Sequence, residues 1–283
     1  MSYEQYRPSQ FKLLPSVVKN LLIINGLFFF ATYVFGSTFG IDLNDVLGLH
    51  YWGSEKFRIY QLITYMFMHG NLSHIFLNMF ALWMFGNVLE NYWGPKRFLI
   101  YYLICGIGAA FTHYTIYYFQ IQPTLSVISE YIANPNLEQF SGFINSEHFS
   151  MQSTEMRESY NEFVARFNEL NVTNNQQGMI NLTIDYMAQY KVDFLNAPTV
   201  VGASGSIFGI LLAFGMMFPN TMLYIYFAIP IKAKYFVILY GLIELFSGVF
   251  ESNSNVAHFA HLGGMLVGFI LIKWWKKNNQ LFM

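Results

Sequence analysis

Six apolar stretches, at about 17–36, 66–91, 97–119, 199–218, 234–250 and 256–275, run through this 283-residue chain. Each approaches the roughly 20 residues a helix needs to cross a bilayer. Charged residues make up only 11% of the sequence, about half the share of a soluble domain. Thirty Phe and twenty Tyr exceed what a water-soluble core of this size can use. The chain reads as an all-α polytopic membrane protein.

The first stretch is not a cleavable signal peptide, because Asn20 and Asn25 interrupt it, no small-x-small site follows, and more spans come after it. The single cysteine, Cys105, lies in the third stretch, so no intramolecular disulfide forms and the redox compartment stays open. A net charge of −1 gives no sign of a nucleic-acid partner, and no internal repeat is visible.

Basic residues set the orientation. With six spans, one side holds both termini and Arg7, Lys12, Lys19, Lys96, Arg97, Lys232, Lys234, Lys273, Lys276 and Lys277. The other holds Lys56, Arg58, Arg157, Arg166 and Lys191, the last three in a long loop that counts little. The termini are therefore expected in the cytoplasm. Ser204 and His261 then lie about five residues into the fourth and sixth spans from the outer side, roughly 7–8 Å deep at about 1.5 Å per residue.

Outside the spans, residues 37–65 form an aromatic outer loop, with His50, Tyr51, Trp52, Phe57 and Tyr60 suited to the headgroup interface. Residues 120–197 differ in kind, with nine of the sixteen acids against three bases. Met156, Tyr160, Phe163 and Phe167 recur there at helical steps, which predicts an amphipathic helix at about 151–170. The expected organisation is 1–119, carrying spans 1–3; a partly helical, outward-facing insertion at 120–197; and 198–283, carrying spans 4–6. Asn171 and Asn181 match glycosylation acceptors, but nothing in the sequence indicates a glycosylating context.

Polar side chains at hydrocarbon depth mark functional interiors. Gly202-Ala203-Ser204-Gly205 offers a nucleophile and Ala260-His261-Leu262-Gly263-Gly264 a base. Serine needs such a base within hydrogen-bond reach. Gly202, Gly205 and Gly209 on one span and Ala260, Gly264 and Gly268 on the other let the two helices close up. No Asp lies in any span, so the expectation is a dyad rather than a triad. His74 and Asn78 are four apart on one helical face and, with the Ser204 N–H, could form an oxyanion hole.

Each signal also has a plainer reading. Gly-Ala-Ser-Gly is commonly a helix-packing patch, His261 could be an interhelical donor, and His74 and Asn78 could staple helices. A metal site from His74, His258 and His261 is disfavoured because no His-Glu-x-x-His occurs. His69, His113 and His258 read as structural or interfacial. A transporter would place its polar residues at midplane and often show an inverted repeat.

The stretch Thr64–Met79, with His69, His74 and Asn78, resembles the second-helix signature of rhomboid intramembrane serine proteases. Phe85-Gly86, Leu89-Glu90, Gly94 and Arg97-Phe98 continue the likeness. Gly202–Gly205 resembles the family's nucleophile motif, and Ala260–Gly264 with Gly268 its sixth-helix histidine motif. The likeness covers 1–119 and 198–283. It implies a six-transmembrane-helix rhomboid-like bundle with a long extracytoplasmic insertion between helices 3 and 4.

By that resemblance, Ser204 is the nucleophile and His261 the general base of a serine-type endopeptidase, with His74 and Asn78 binding the oxyanion. Substrates would be transmembrane proteins cut in or near the lipid bilayer, with no metal or cofactor; oligomeric state stays open. The fifth span and loops 37–65 and 247–256 would gate access, and a bacterial inner membrane is the implied location. Phe208 stands where the family often has a Tyr packed on the histidine, which keeps the stacking surface and loses the hydroxyl. The 120–197 insertion is longer than in compact members and is expected to act as a lid or exosite. A non-catalytic rhomboid-like binder is the rival, and such proteins usually lack the Ser or the His.

Overall fold

The computed structural model describes residues 11–225, 228–250 and 258–278. Arg7, most of the expected gating loop 247–256 and the first residues of the expected sixth span lie outside them. The chain is mostly helical. It begins with α1 (Ser16–Phe39), α2 (Leu43–Leu47), strand β1 (Leu49–His50), α3 (Gln61–Thr64), α4 (Leu72–Ala81) and α5 (Asn87–Trp93). Then follow α6 (Pro95–Ala133), α7 (Leu137–Ile144), α8 (Thr154–Val172), α9 (Gln176–Asn196), β2 (Thr199–Val200) and α10 (Ser204–Met217). A hairpin of β3 (Met222–Ile225) and β4 (Ile229–Lys232) leads to α11 (Ala233–Phe250) and α12 (His258–Lys277).

Among the described residues, four helices are long and apolar enough to cross a membrane: α1, the continuous Leu72–Trp93, α6 and α11. The fourth and sixth stretches of the sequence differ. Helix α10 has only 14 residues, about 21 Å of rise against a hydrocarbon core of about 30 Å. It starts late because 199–200 form a strand and Gly202 takes φ +127°. Helix α12 has 20 residues but carries His258, His261, Lys273, Lys276 and Lys277.

The chain divides into two compact units. One comprises the described parts of Met1–Gly48, Leu62–His113 and Val201–Met283. Its outer helices leave Leu27 and Phe30 of α1, Phe76 and Leu77 of α4, and Ile238 and Phe246 of α11 exposed. So large an apolar surface is one that lipid covers and water does not. Inside, α10 is buried nearly throughout, including Ile210, Ala213 and Phe214. The start of α1 is fixed by Glu90, whose carboxylate accepts from the Val17 N–H (2.9 Å), the Val18 N–H (2.7 Å) and Ser16 Oγ (3.2 Å). Those are the N–H groups a helix leaves unpaired at its positive end.

The other unit comprises Leu49–Gln61 and Tyr114–Val200. Helix α6 was expected to end near 119 but runs to Ala133, through Pro123. Ile121, Thr124, Ile128 and Tyr131 continue a buried stripe at helical spacing, which outweighs the N–H that Pro123 lacks. Helix α8 buries Met156 and Phe163, and Phe163 lies 4.5 Å from the Tyr186 ring of α9. The 49–61 segment, part of the aromatic outer loop expected at 37–65, is anchored in this unit through the buried His50, Tyr51, Ser54 and Gln61. Its β1 pairs antiparallel with β2, Tyr114 Oη donates to the His50 carbonyl at 2.6 Å, and Ser54 Oγ donates to Asn196 Oδ1 at 2.6 Å. Trp52 and Tyr60 remain exposed.

Candidate active site

Ser204 is the first residue of α10. The loop before it is tied down where the Gly202 N–H donates to the Tyr65 carbonyl at 2.9 Å. Only glycine fits at 202. Its φ of +127° is disfavoured for other residues, and a Cβ there would stand 2.8 Å from Nε2 of His74. That same point is 3.5 Å from Ser204 Oγ, so the His74 imidazole and the Ser204 hydroxyl border one small space.

His261 lies in the first turn of α12, and glycines bring that helix to α10. A Cβ on Gly205 would stand 3.7 Å from the Ala260 carbonyl oxygen, and one on Gly209 3.1 Å from the Gly264 carbonyl oxygen. The approach leaves His261 Nε2 2.8 Å from Ser204 Oγ. Phe208, one turn along α10 from Ser204, stacks on the His261 ring with centroids 4.3 Å apart and planes within 4°. Tyr240 of α11 stacks on Phe208 in turn, at 5.1 Å.

The ring's other nitrogen faces α11. His261 Nδ1 is 2.8 Å from Oε2 of Glu244, and the same oxygen is 2.8 Å from Nδ1 of His258. Glu244 is 7% exposed and His261 9%. Sequence reasoning missed Glu244 because it looked for an aspartate. The usable signal was an acid inside a span, which is costly unless it has a partner. The same reasoning read His258 as structural or interfacial and did not foresee that His258 shares this carboxylate. Glu244, His258 and His261 are the one trio among the described residues whose ligand atoms lie within 4.8 Å of one another, as a bound cation would require.

His74 is held in the first turn of α4, where its N–H donates to the capping Asn71 side chain at 2.8 Å. Asn78 is buried on the same helix, and its Nδ2 donates to the His74 carbonyl at 2.9 Å. Since Nδ2 carries two hydrogens, one is left for another acceptor. The His69 ring lies 5.1 Å from that of His74. A hydroxyl in contact with one imidazole and bordered by a second is an arrangement that acyl transfer can use, as a nucleophile with its base and a nearby hydrogen-bond donor.

No curated protein matches the chain. The family model for the rhomboid domain matches residues 56–122 and 175–276. Those segments contain Ser204, His261, His74, Asn78, Phe208 and Glu244, and leave out 123–174. The family generally comprises serine proteases that act on transmembrane substrates within the bilayer, and it also includes inactive members. Matched over more than half its length, the chain belongs to the rhomboid family.

Proposed function

We propose that this protein is an active intramembrane serine endopeptidase that cleaves transmembrane proteins in or near the membrane, with Ser204 as nucleophile and His261 as general base. The observation that carries this reading is the 2.8 Å contact between Ser204 Oγ and His261 Nε2. Oγ attacks the scissile carbonyl while Nε2 takes the hydroxyl proton. The imidazolium then returns that proton to the leaving amine, and an acyl-enzyme remains. Water, deprotonated by the same nitrogen, attacks the acyl carbon, and the proton passes to Ser204 Oγ as its bond to the new carboxyl end breaks.

The oxyanion formed in each half needs donors already in place. The Ser204 N–H lies at the start of α10, where backbone donors are unpaired and the helix dipole is positive. His74 supplies a ring N–H and Asn78 its second amide hydrogen. These steps call on no cofactor.

The proposed protease has six membrane helices, both termini on the cytoplasmic side of a bacterial inner membrane, and α11 with loops 37–65 and 247–256 as the gate for substrate entry. The 120–197 insertion enters the chain shortly before the candidate nucleophile, and we assign it a part in choosing substrates, as a lid or exosite. Replacing 125–192 by a short linker should then change which substrates are cut; unchanged substrates and rates would remove that assignment.

The decisive experiment places the full chain in liposomes with a single-span reporter and compares wild type with Ser204→Ala and His261→Ala. Cleavage by wild type alone is the expected result. Equal cleavage by both variants would overturn the assignment. Fluorophosphonate labelling of Ser204 reads the nucleophile without needing the right substrate, and an unlabelled Ser204 would favour a non-catalytic binder.

A further inference from the structure

The stacked pair of His261 and Phe208 poses a geometric problem. Contact at 4.3 Å with planes within 4° fixes the plane of the imidazole, but a ring flipped by 180° about its Cβ–Cγ bond lies in the same plane and would stack equally well. Catalysis needs one of the two orientations and one of the two neutral tautomers, with the lone pair on Nε2 facing Ser204 Oγ. Something must remove both degeneracies.

We infer that Glu244 is the positioning residue that does so, and that His258 holds Glu244 in place. The inference rests on reading Ser204 and His261 as the catalytic pair. An ionised carboxylate only accepts hydrogen bonds, so the 2.8 Å contact between Glu244 Oε2 and His261 Nδ1 puts the proton on Nδ1. Nε2 is then left unprotonated, 2.8 Å from the hydroxyl it must deprotonate. His258 Nδ1 donates to the same Oε2 at 2.8 Å, from one turn earlier on α12. The carboxylate is therefore gripped by two imidazoles of one helix and cannot swing away from His261. When Nε2 takes the Ser204 proton, the buried negative charge faces the imidazolium that forms. Glu244 keeps its charge and takes no proton, so every proton of the reaction passes through Nε2. Three helices thus meet in a Ser204–His261–Glu244 triad in place of the dyad expected from sequence.

The test is Glu244→Gln in the full chain, reconstituted with the reporter. The amide keeps the shape but presents N–H groups that favour the wrong tautomer. In serine proteases, the comparable change at the residue behind the histidine lowers kcat by about 10⁴-fold. We expect a kcat loss of roughly 10²–10⁴-fold with KM within about threefold of wild type, and partial rescue by Glu244→Asp. A kcat for Glu244→Gln within about threefold of wild type would overturn the inference. Should Glu244→Gln fail to fold, histidine ¹⁵N spectra of the wild-type protein still decide: His261 must carry its proton on Nδ1, and a proton on Nε2 of the neutral ring sinks the proposal. Loss of wild-type activity in a chelator, restored by Zn²⁺, would make the trio a cation site and also overturn it. A fully active Ser204→Ala would bring down the underlying catalytic reading instead, whatever Glu244 does.

Discussion

Gly264 of α12 passes so close to Gly205 of α10 that a Cβ on Gly264 would stand 1.9 Å from the Gly205 carbonyl oxygen. The obstacle is backbone, which cannot rotate aside, so any side chain at 264 must push the two helices apart. Those helices carry Ser204 and His261, and their 2.8 Å contact tolerates little displacement. Gly264→Ala should therefore lower activity at least 10²-fold and lower the melting temperature in detergent. Gly241→Ala is the control, because its Cβ would meet only the flexible end of Met265, with Cε at 3.4 Å and Sδ at 3.7 Å. Equal activity in the two variants would show that this approach does not set the site.

Phe208 offers a milder change. It lies between the Tyr240 and His261 rings, parallel to both. Leucine keeps much of the volume and loses the flat face, and such aromatic pairs contribute about 0.5–1.5 kcal/mol beyond burial. Phe208→Leu should cut kcat by roughly two- to tenfold and leave fluorophosphonate labelling detectable. Steady-state kinetics with the reporter read the loss, and an unchanged kcat would mean the stack is packing alone.

How legible this was from sequence depended on how local the signal is. The apolar stretches, the small residues of α10 and α12 and the helix at 154–172 each follow from periodicity within one segment, and the sequence carries all three. Glu244 and Glu90 are the two acids inside the expected spans, and neither could be interpreted without knowing what faces it. One meets two histidines 14 and 17 residues on, and the other meets the start of α1 more than 70 residues back. The 49–61 segment shows the opposite limit. Its aromatic rings suit a headgroup layer and a protein interior equally well, and the fold divides them: Tyr51 is buried, whereas Trp52 and Tyr60 stay exposed.

Glu90 yields a stability prediction separate from catalysis. Its carboxylate satisfies two backbone N–H groups at the start of α1, one of them buried with Val18. Hydrogen bonds to a charged group contribute about 1.5–3 kcal/mol, and the helix dipole adds to them. Glu90→Ala should destabilise the protein by about 2–4 kcal/mol, read as a lower unfolding midpoint in detergent. Activity per folded molecule should hold within about twofold, since Glu90 touches neither Ser204 nor His261. A larger loss per folded molecule would tie the start of α1 to the site.

The 114–200 segment should respond to alkali. Tyr186 is packed among Phe140, Tyr160, Phe163 and Tyr190, and burial raises its phenol above the ordinary value, with the neighbouring Tyr190, Tyr160 and Asp193 adding to the rise. Burial raises Tyr190 as well. What the fold penalises is the phenolate, so the folded form is favoured in full below the unfolded value of about 10. That stabilisation is lost as pH rises from there through the folded value. Hydrogen exchange in α8 and α9 of the reconstituted protein should therefore accelerate between about pH 10 and 12, after correction for the intrinsic rise in exchange. Tyr186→Phe removes one ionisable group from the cluster and should make the acceleration shallower. Identical profiles for the two proteins would show that α8 and α9 open by a route that leaves Tyr186 buried.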